Sequence, residues 1–546
     1  MTRHVALGGE FKSRGLLSGR SLPEKLLLFI GLALSAFLVM LGSFSFFFLV
    51  AALFVAVASI LTTMPTAINE GRSLAAIHAE RAYRLWQKTT GTDVFDPVHE
   101  QIAAERLKTY QHTTQQEQKT PRKQRTPNKQ ATPNQQKTAR PKGFAVRRAQ
   151  RRKATDQPAP LMIGKMSATE VPFNTRERLT VFRHANTAPV FYTAIFEVRG
   201  STGGVVEEDI EDIPFIGFGK VLARAARRTS AISHIQSFTR SVPLDITDHI
   251  SWLSDYVHPE AHDHLVRSYQ ELCLDVEQKA EQHRSYWVLR FDNLAALQRA
   301  ITAQTPGPRA VHDAIVSEAH ALMSQAVTHK AIRSFRPVNS NMAAALLAHL
   351  QDPYEFSIDD PDQNLGSVWQ RLDATKTSKA VLVNNRAYTR VAYIPRHGFI
   401  AGSALPVQSM RQLVNGIVPA VIHSVSWVNE VVDARTARAQ AVSDRTSDKA
   451  KRKSDAEKGK VSDGTEHVMS SSSDQRGADL MPGSGHHGVK WGAYLSFTVQ
   501  SEEELLAVST QIESVATDCG IERLIWLDDR HHMALASVMP LGRGIR

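Results

Sequence analysis

Forty-four consecutive residues, Leu26 to Asn69, carry no charge. As a single helix that stretch would be roughly 66 Å long, about twice the hydrocarbon thickness of a bilayer. It is therefore expected to fold back as two spans, Leu26–Leu41 and Phe44–Leu61, turning at Gly42-Ser43. The apolar core of a secretory signal is much shorter and is followed by a small-residue cleavage site, which this stretch lacks. A buried soluble hairpin would carry a polar stripe on each half, and neither half has one. Basic residues flank both ends: Arg3, Lys12, Arg14, Arg20 and Lys25 before, and Arg72, Arg81, Arg84 and Lys88 after. A bias of this kind at both ends predicts a multi-pass protein of the inner (plasma) membrane with both termini and the bulk of the chain in the cytoplasm.

The formal net charge of +11 is unevenly distributed. Thirteen Lys or Arg and no acid fall between Lys119 and Lys153, which leaves 52 basic against 54 acidic residues elsewhere. The Gln/Thr/Pro/Lys/Arg composition from Gln111 to Pro160 cannot bury enough surface to offset its ordering entropy, so a disordered tether is expected there. Such a tether has the chemistry to hold anionic lipid headgroups or nucleic-acid phosphates, or to serve as a plain spacer. Its lone aromatic, Phe144, offers no stacking platform for bases. Cys273 and Cys519 sit in mixed, partly apolar stretches and suggest no disulfide framework.

Residues 71–92 have the spacing of an amphipathic helix continuing the hairpin or lying on the membrane. Folded sequence resumes near Leu161. Strands are predicted at Arg178–Arg183, Val190–Val198, Ile232–Phe238 and Tyr286–Phe291, and helices at Phe215–Arg228, Pro259–Gln282, Leu294–Ala303, Ala310–Val327 and Asn341–Leu350. Further strands are read at Ala380–Val383, Thr389–Ile394 and Ile417–Trp427, and a helix begins at Val431–Ala441. Ser443–Gly485, rich in Ser, Lys and Asp, reads as a mobile insertion. After a strand at Tyr494–Val499, Ser501 and Glu504 form a capping box for a helix that Gly520 ends; strands at Ile521–Leu527 and His532–Met539 follow.

These elements define a membrane α-hairpin of two transmembrane helices plus cytoplasmic α+β (ferredoxin-like or α/β) domains. The boundaries are 1–92 for the tail, hairpin and juxtamembrane helix, 93–160 for the basic linker, and 161–352 for an α/β domain. A second region covers 353–442, the disordered insertion 443–485, and a C-terminal β-α-β unit completes the body at 486–546.

Chemistry-bearing motifs are sparse. Gly164-Lys165, Gly219-Lys220 and Gly459-Lys460 are each followed by Met or Val where Mg²⁺ needs a hydroxyl, and Ala159, Pro214 and Ser454 stand where the upstream glycine belongs, so no phosphate-binding loop is formed. His258, His262 and His264 lie around a helix start, with 258 and 262 at a workable ligand spacing. The favoured reading is a solvated polar helix start, with Glu260 and Asp263 complementing the dipole. His486-His487 and His531-His532 are adjacent pairs whose side chains would diverge on a strand. The acidic run Glu207–Asp212 reads as a solvated loop face, and no G-x-S-x-G elbow or activated cysteine is present. No catalytic, cofactor-binding or metal-ligating residue is assigned, and no cofactor or enzymatic activity is expected.

Certain residues do carry a resemblance: the hairpin followed by Gly71-Arg72-Ser73, the strand pair ending Phe191–Arg199-Gly200, Ser268-Tyr269-Gln270-Glu271-Leu272 through His283 to Phe291, and the terminal Met539-Pro540-Leu541-Gly542-Arg543-Gly544. On these the chain resembles large actinobacterial membrane proteins of conjugative, type IV secretion-like systems. In those proteins a PrgI-type two-span subunit is fused to something similar to the N-terminal, non-motor domain of a TraC-type secretion ATPase. There a similar Pro-Leu-Gly sequence closes the N-terminal domain just before the motor. The resemblance implies a motor-less scaffold that anchors or docks a separate motor ATPase and other channel subunits, as part of a homo- or hetero-oligomer. It supplies no catalytic residue. A type VII secretion-like two-span subunit, and a membrane-tethered DNA-binding protein using the basic linker, are the alternative readings.

Overall fold

The computed structural model describes residues 4–6, 22–41, 46–63, 73–75, 78, 82, 86, 94–96, 157–158 and 163–544, the last range without 186–189, 201–207, 245, 259, 303–308, 371, 374–378, 396–398, 400–403, 407–409, 418–420, 458–473, 475, 482–486 and 529–530. The chain divides into two compact units, residues 10–93, and residues 1–9 with 94–546.

In the smaller unit, unbroken runs of Leu, Ala, Phe and Val form two helices, α1 (Leu22–Leu41) and α2 (Phe46–Thr63). They pack antiparallel through small residues. The Ser35 hydroxyl donates to the Ala52 carbonyl at 2.9 Å, and Gly31 lies so close to Ser59 that a Cβ there would overlap the serine side chain. Phe37, Met40, Phe46, Phe47, Leu53 and Phe54 point outward and are exposed. Among the described helices α2 is the one long and apolar enough to cross a membrane; the apolar stretch of α1, Lys25–Leu41, is shorter. The expected turn at Gly42-Ser43 and most of the 71–92 stretch lie outside the described residues; of that stretch residues 74, 75, 78, 82 and 86 are described as helical. Gly31→Leu is expected to push the two helices apart. Cysteines introduced at Ser35 and Ala52 should cross-link in the parent chain and lose most of that cross-link with leucine at 31.

The larger unit is built on one antiparallel sheet. In chain order its strands and helices are β1 (Met166–Pro172), β2 (Arg178–His184), β3 (Phe191–Arg199), α3 (Glu208–Ala225), β4 (Ile232–Pro243), α4 (Thr247–Tyr256), α5 (Asp263–Lys279), β5 (Glu281–Phe291), α6 (Leu294–Thr302), α7 (Ala310–Thr328), β6 (Ser334–Pro337) and α8 (Ser340–Gln351). The second half continues with β7 (Leu372–Asp373), β8 (Val381–Val383), β9 (Ala387–Ile394), α9 (Gln412–Asn415), β10 (His423–Val432), α10 (Ala434–Glu457), β11 (Gly488–Val499), α11 (Glu502–Asp518), β12 (Ile525–Trp526) and α12 (His531–Val538).

Across the sheet the order is β7-β8-β9-β11-β10-β4-β5-β3-β2-β1, with β6 added to β3 and β12 to β9, and the short strands Val94–Asp96 (parallel to β1) and Gln157–Pro158 continue it beyond β1. Between β7 and β1 that order reads the same from both ends. Each half runs outer strand, hairpin, helix, strand, helical excursion, returning strand, helix (two helices, α6 and α7, in the first half), short strand, helix. The halves join where β4 pairs β10, Ser426 opposite Phe238. The body is therefore an internal structural repeat about a pseudo-two-fold axis, a feature that no sequence period announces.

Alternation along the strands feeds three cores. Ile195, Tyr286, Val288 and Tyr494 face α8 and α12 on one side of the sheet. On the other side, Phe196, Trp287 and Leu289 face α3, α6 and α7 in the first half, and Leu495 and Phe497 face α9 and α11 in the second.

Most predicted elements are found within a few residues of their expected ends, and the departures have local causes. The strand expected at His532–Met539 is helix α12, as its Met-Ala-Leu-Ala core favours. The helix expected from Pro259 begins at Asp263, and a separate helix, α4, precedes it. Ile417–Trp427 is shifted to His423–Val432, beyond Pro419. The acidic run expected as a loop face enters α3, which begins at Glu208. The start of the expected mobile insertion is the helix α10, running through Glu457 and capped by Asp433, whose carboxylate accepts from the Arg435 and Thr436 amides. Most of the remainder to Gly485, and the basic linker from 97 to 156, lie outside the described residues. Ser501 caps α11 as expected, accepting from the Glu504 amide at 3.2 Å, while the Glu504 carboxylate reaches back to the Gln500 amide, one residue before the N-cap amide that a capping box uses.

Candidate docking surface

The crossover from β4 to β5 needs only to carry the chain from one strand to its neighbour, yet it spends 37 residues on α4 and α5. Helix α5 barely touches the body: Cys273 is its one buried side chain among those described. Leu265, Tyr269, Leu272 and Val276 stand at intervals of four, three and four, the a/d spacing of a coiled-coil seam, and all are exposed. Trp252 and Tyr256 of α4 extend this seam, their rings stacked at 5.4 Å. Exposure runs from 42% at Val276 to 71% at Tyr256. His249 ties the two helices together, stacking on Trp252 and bonding the Tyr269 hydroxyl at 3.0 Å. Contiguous exposed apolar surface of this kind marks an interaction site. The surroundings are acidic: residues 247–279 contain seven Asp or Glu against Arg267 and Lys279.

The motif residues singled out from sequence are dispersed. His258 accepts from the Glu260 amide at 3.2 Å, while His262 immediately precedes α5 and His264 lies in its first turn, their rings 5.5 Å apart. Among the described residues no three His, Cys, Asp or Glu are grouped to hold a metal ion. His531 is buried in α12, accepting from the Val391 amide at 3.1 Å and facing Asp528 at 3.0 Å. Both cysteines are buried and free, and burial pushes the Cys519 thiol up to about 11. Gly219-Lys220 lies inside α3, and Gly459-Lys460 is outside the described residues.

One row of side chains has the connectivity of a nucleophile, base and acid, and it was not visible in the sequence. Ser241 Oγ lies 2.9 Å from His283 Nδ1, and His283 Nε2 lies 3.8 Å from Glu281. These residues are 42 positions apart and meet because β4 and β5 pair Ser241 with His283. The Ser241 hydroxyl is 1% exposed and donates to the Val414 carbonyl at 3.0 Å. Having spent its proton there, it accepts from His283 rather than giving a proton to it, the reverse of general-base activation. Burial raises the Glu281 carboxyl and lowers the His283 imidazole, each toward its neutral form. The row holds strands together.

The terminal Pro540–Gly544 segment is an internal strap. Gln236, fully buried at the β4–β10 junction, donates to Ser426 Oγ (2.8 Å) and the Met539 carbonyl (2.9 Å), and accepts from the Gly542 amide (2.8 Å). Arg290 donates to the Gly542 carbonyl, Arg543 to the Ile163 carbonyl, and Tyr494 to the Gly544 carbonyl. Gly542 has φ +63° and would bring a Cβ within 3.0 Å of Thr193, so a side chain there is opposed by both backbone and space. The motif that carries the sequence resemblance thus has a structural role in joining the two halves of the repeat.

No protein-family model matches this chain, and no curated protein is similar to it beyond chance.

Proposed function

We propose that this protein is an integral membrane scaffold of a conjugative, type IV secretion-like apparatus. In this reading α1 and α2 form a two-span anchor in the inner membrane, and the α+β body on the cytoplasmic side docks a separate motor ATPase. The observation that carries the docking role is the exposed seam of Leu265, Tyr269, Leu272 and Val276, four apolar side chains at a/d spacing left uncovered along one helix face. The outward-facing apolar residues of both N-terminal helices and the basic flanks support the anchor. The assignment to type IV-like systems rests on the sequence resemblance, part of which, Ser268–Leu272, falls on the seam. A scaffold of this kind would hold a motor over a membrane pore, with the linker taking up the motor's movement.

The experiment is extraction and purification from native membranes. The chain is expected to stay with the membrane pellet at pH 11 and, in mild detergent, to co-purify with a polypeptide bearing a complete phosphate-binding loop and with further channel subunits identified by mass spectrometry. Release into the alkaline supernatant would overturn the anchor. Recovery of the chain alone, or with DNA that washes off in high salt, would overturn the secretion role and favour a tethered DNA-binder.

A further inference from the structure

We infer that the α4–α5 seam is one half of a coiled coil, and that its occupant is a helix of another protein with apolar a/d residues flanked by Lys or Arg. This rests on the docking role proposed above and names the chemistry of the partner. Leu265, Tyr269, Leu272 and Val276 occupy successive d, a, d and a positions over two heptads, a pattern read by a helix lying alongside rather than by an extended strand. On the register that puts Tyr269 at a, Cys273 falls at e, and it is buried. The opposite flank, open to an incoming helix, carries Ser268, Glu271 and Asp275.

The charge decides among occupants. An anionic membrane surface would be repelled by seven acids against two bases. A second copy laying the same seam against itself would bring like charges together, which costs stability. A helix with basic flanks meets both the apolar stripe and the acidic border, and electrostatic complementarity of that kind sets partner choice and docking rate. Trp252 and Tyr256 supply the large, rigid aromatic surface that dominates such interfaces. The pseudo-two-fold axis sharpens the assignment: the equivalent excursion of the second half leaves the opposite end of the sheet as α10, whose seven Lys or Arg and four acids give it the opposite sign. The two excursions are therefore different surfaces for different partners.

The test uses the full chain in lipid nanodiscs and two fluorescent 21-residue designed helices with the same Leu/Val a/d seam, one with Lys and one with Glu at the flanking positions. By anisotropy the Lys-flanked helix is expected to bind at least about tenfold tighter, with a clear loss at high salt. Leu272→Ser and Tyr269→Ala should each weaken binding by about tenfold, as single hot-spot truncations do. Because the exposed Leu272 takes no part in the His249–Tyr269 tie, circular dichroism and melting of Leu272→Ser should be unchanged. Glu271→Lys combined with Asp275→Lys should reverse the preference in favour of the Glu-flanked helix. Equal binding of both helices, binding of neither, or persistence of binding in Leu272→Ser overturns the inference. So does a concentration-dependent dimer in sedimentation that Leu272→Ser abolishes, which would assign the seam to a second copy. If the designed helix binds as expected while native purification recovers no motor, the secretion role fails and the seam chemistry stands. A motor that co-purifies equally well with Leu272→Ser would leave the secretion role and remove the seam.

Discussion

Lowering the pH from 7 to 5 is expected to cost the α+β body several kcal/mol of stability and to lower its melting temperature by roughly 10 °C. Four histidines drive this. Burial lowers His349 to about 3, His423 to about 4 and His234 to about 4, with Arg240 adding to the effect at the first two and Arg290 at the third. His184 is also pushed well below its ordinary value by burial and by Arg543 and Arg290. Asp292 and Glu430 oppose the shift at His234 without cancelling it. The unfolded chain takes up protons on these residues near pH 6.5, while the native chain refuses them down to about pH 4, so stability falls with pH across that window. Each histidine contributes up to about 1.4 kcal/mol per pH unit. Calorimetry of the full chain at pH 7, 6 and 5 measures the slope. His423→Asn, which can still donate to the Val421 carbonyl, should remove roughly a quarter of it. A melting temperature that does not change from pH 7 to 5 would show that these imidazoles are not held neutral.

Gln236→Leu is expected to cost about 2 kcal/mol. The two side chains are close in volume, so the loss is one of hydrogen bonding. Leucine leaves the Gly542 amide buried without its partner, at about 1–3 kcal/mol, and takes one of two donors from the Met539 carbonyl, which keeps the Leu541 amide at 2.7 Å. Ser426 is less affected, because its hydroxyl also donates to the Ser537 carbonyl at 3.1 Å. The melting temperature should drop by about 5 °C. Amide exchange should speed up selectively at residues 539–543, since the strap loses its central tether while Arg290 and Tyr494 still hold its far side. Unchanged exchange there, whatever the melting temperature does, would mean that Gln236 does not hold the strap.

Local signals in the sequence were reliable where a single segment decides its own structure. The strand Phe191–Arg199 reads directly from Phe, Tyr, Ile and Val, and the α11 start from Ser501 and Glu504, because propensity and capping act within a few residues. The α12 error shows the limit of that reading: His532–Met539 is short and apolar, and an apolar run of that length has no period to separate strand from helix. The coiled-coil seam was present as the spacing of Leu265, Tyr269, Leu272 and Val276, but spacing alone says which face is apolar, not whether a neighbour covers it.

By itself the sequence determined the uncharged, apolar N-terminal segment, the concentration of charge between Lys119 and Lys153, and the α+β character of the rest, because each depends on composition or on contacts close in the chain. Only the tertiary structure decided the two-fold repeat of the sheet, the row of Ser241, His283 and Glu281, and the strap that joins Gln236 to Gly542 across 306 positions. These arise from strand pairings between distant segments, whose register is set by how whole faces pack against helices rather than by any residue's own preference.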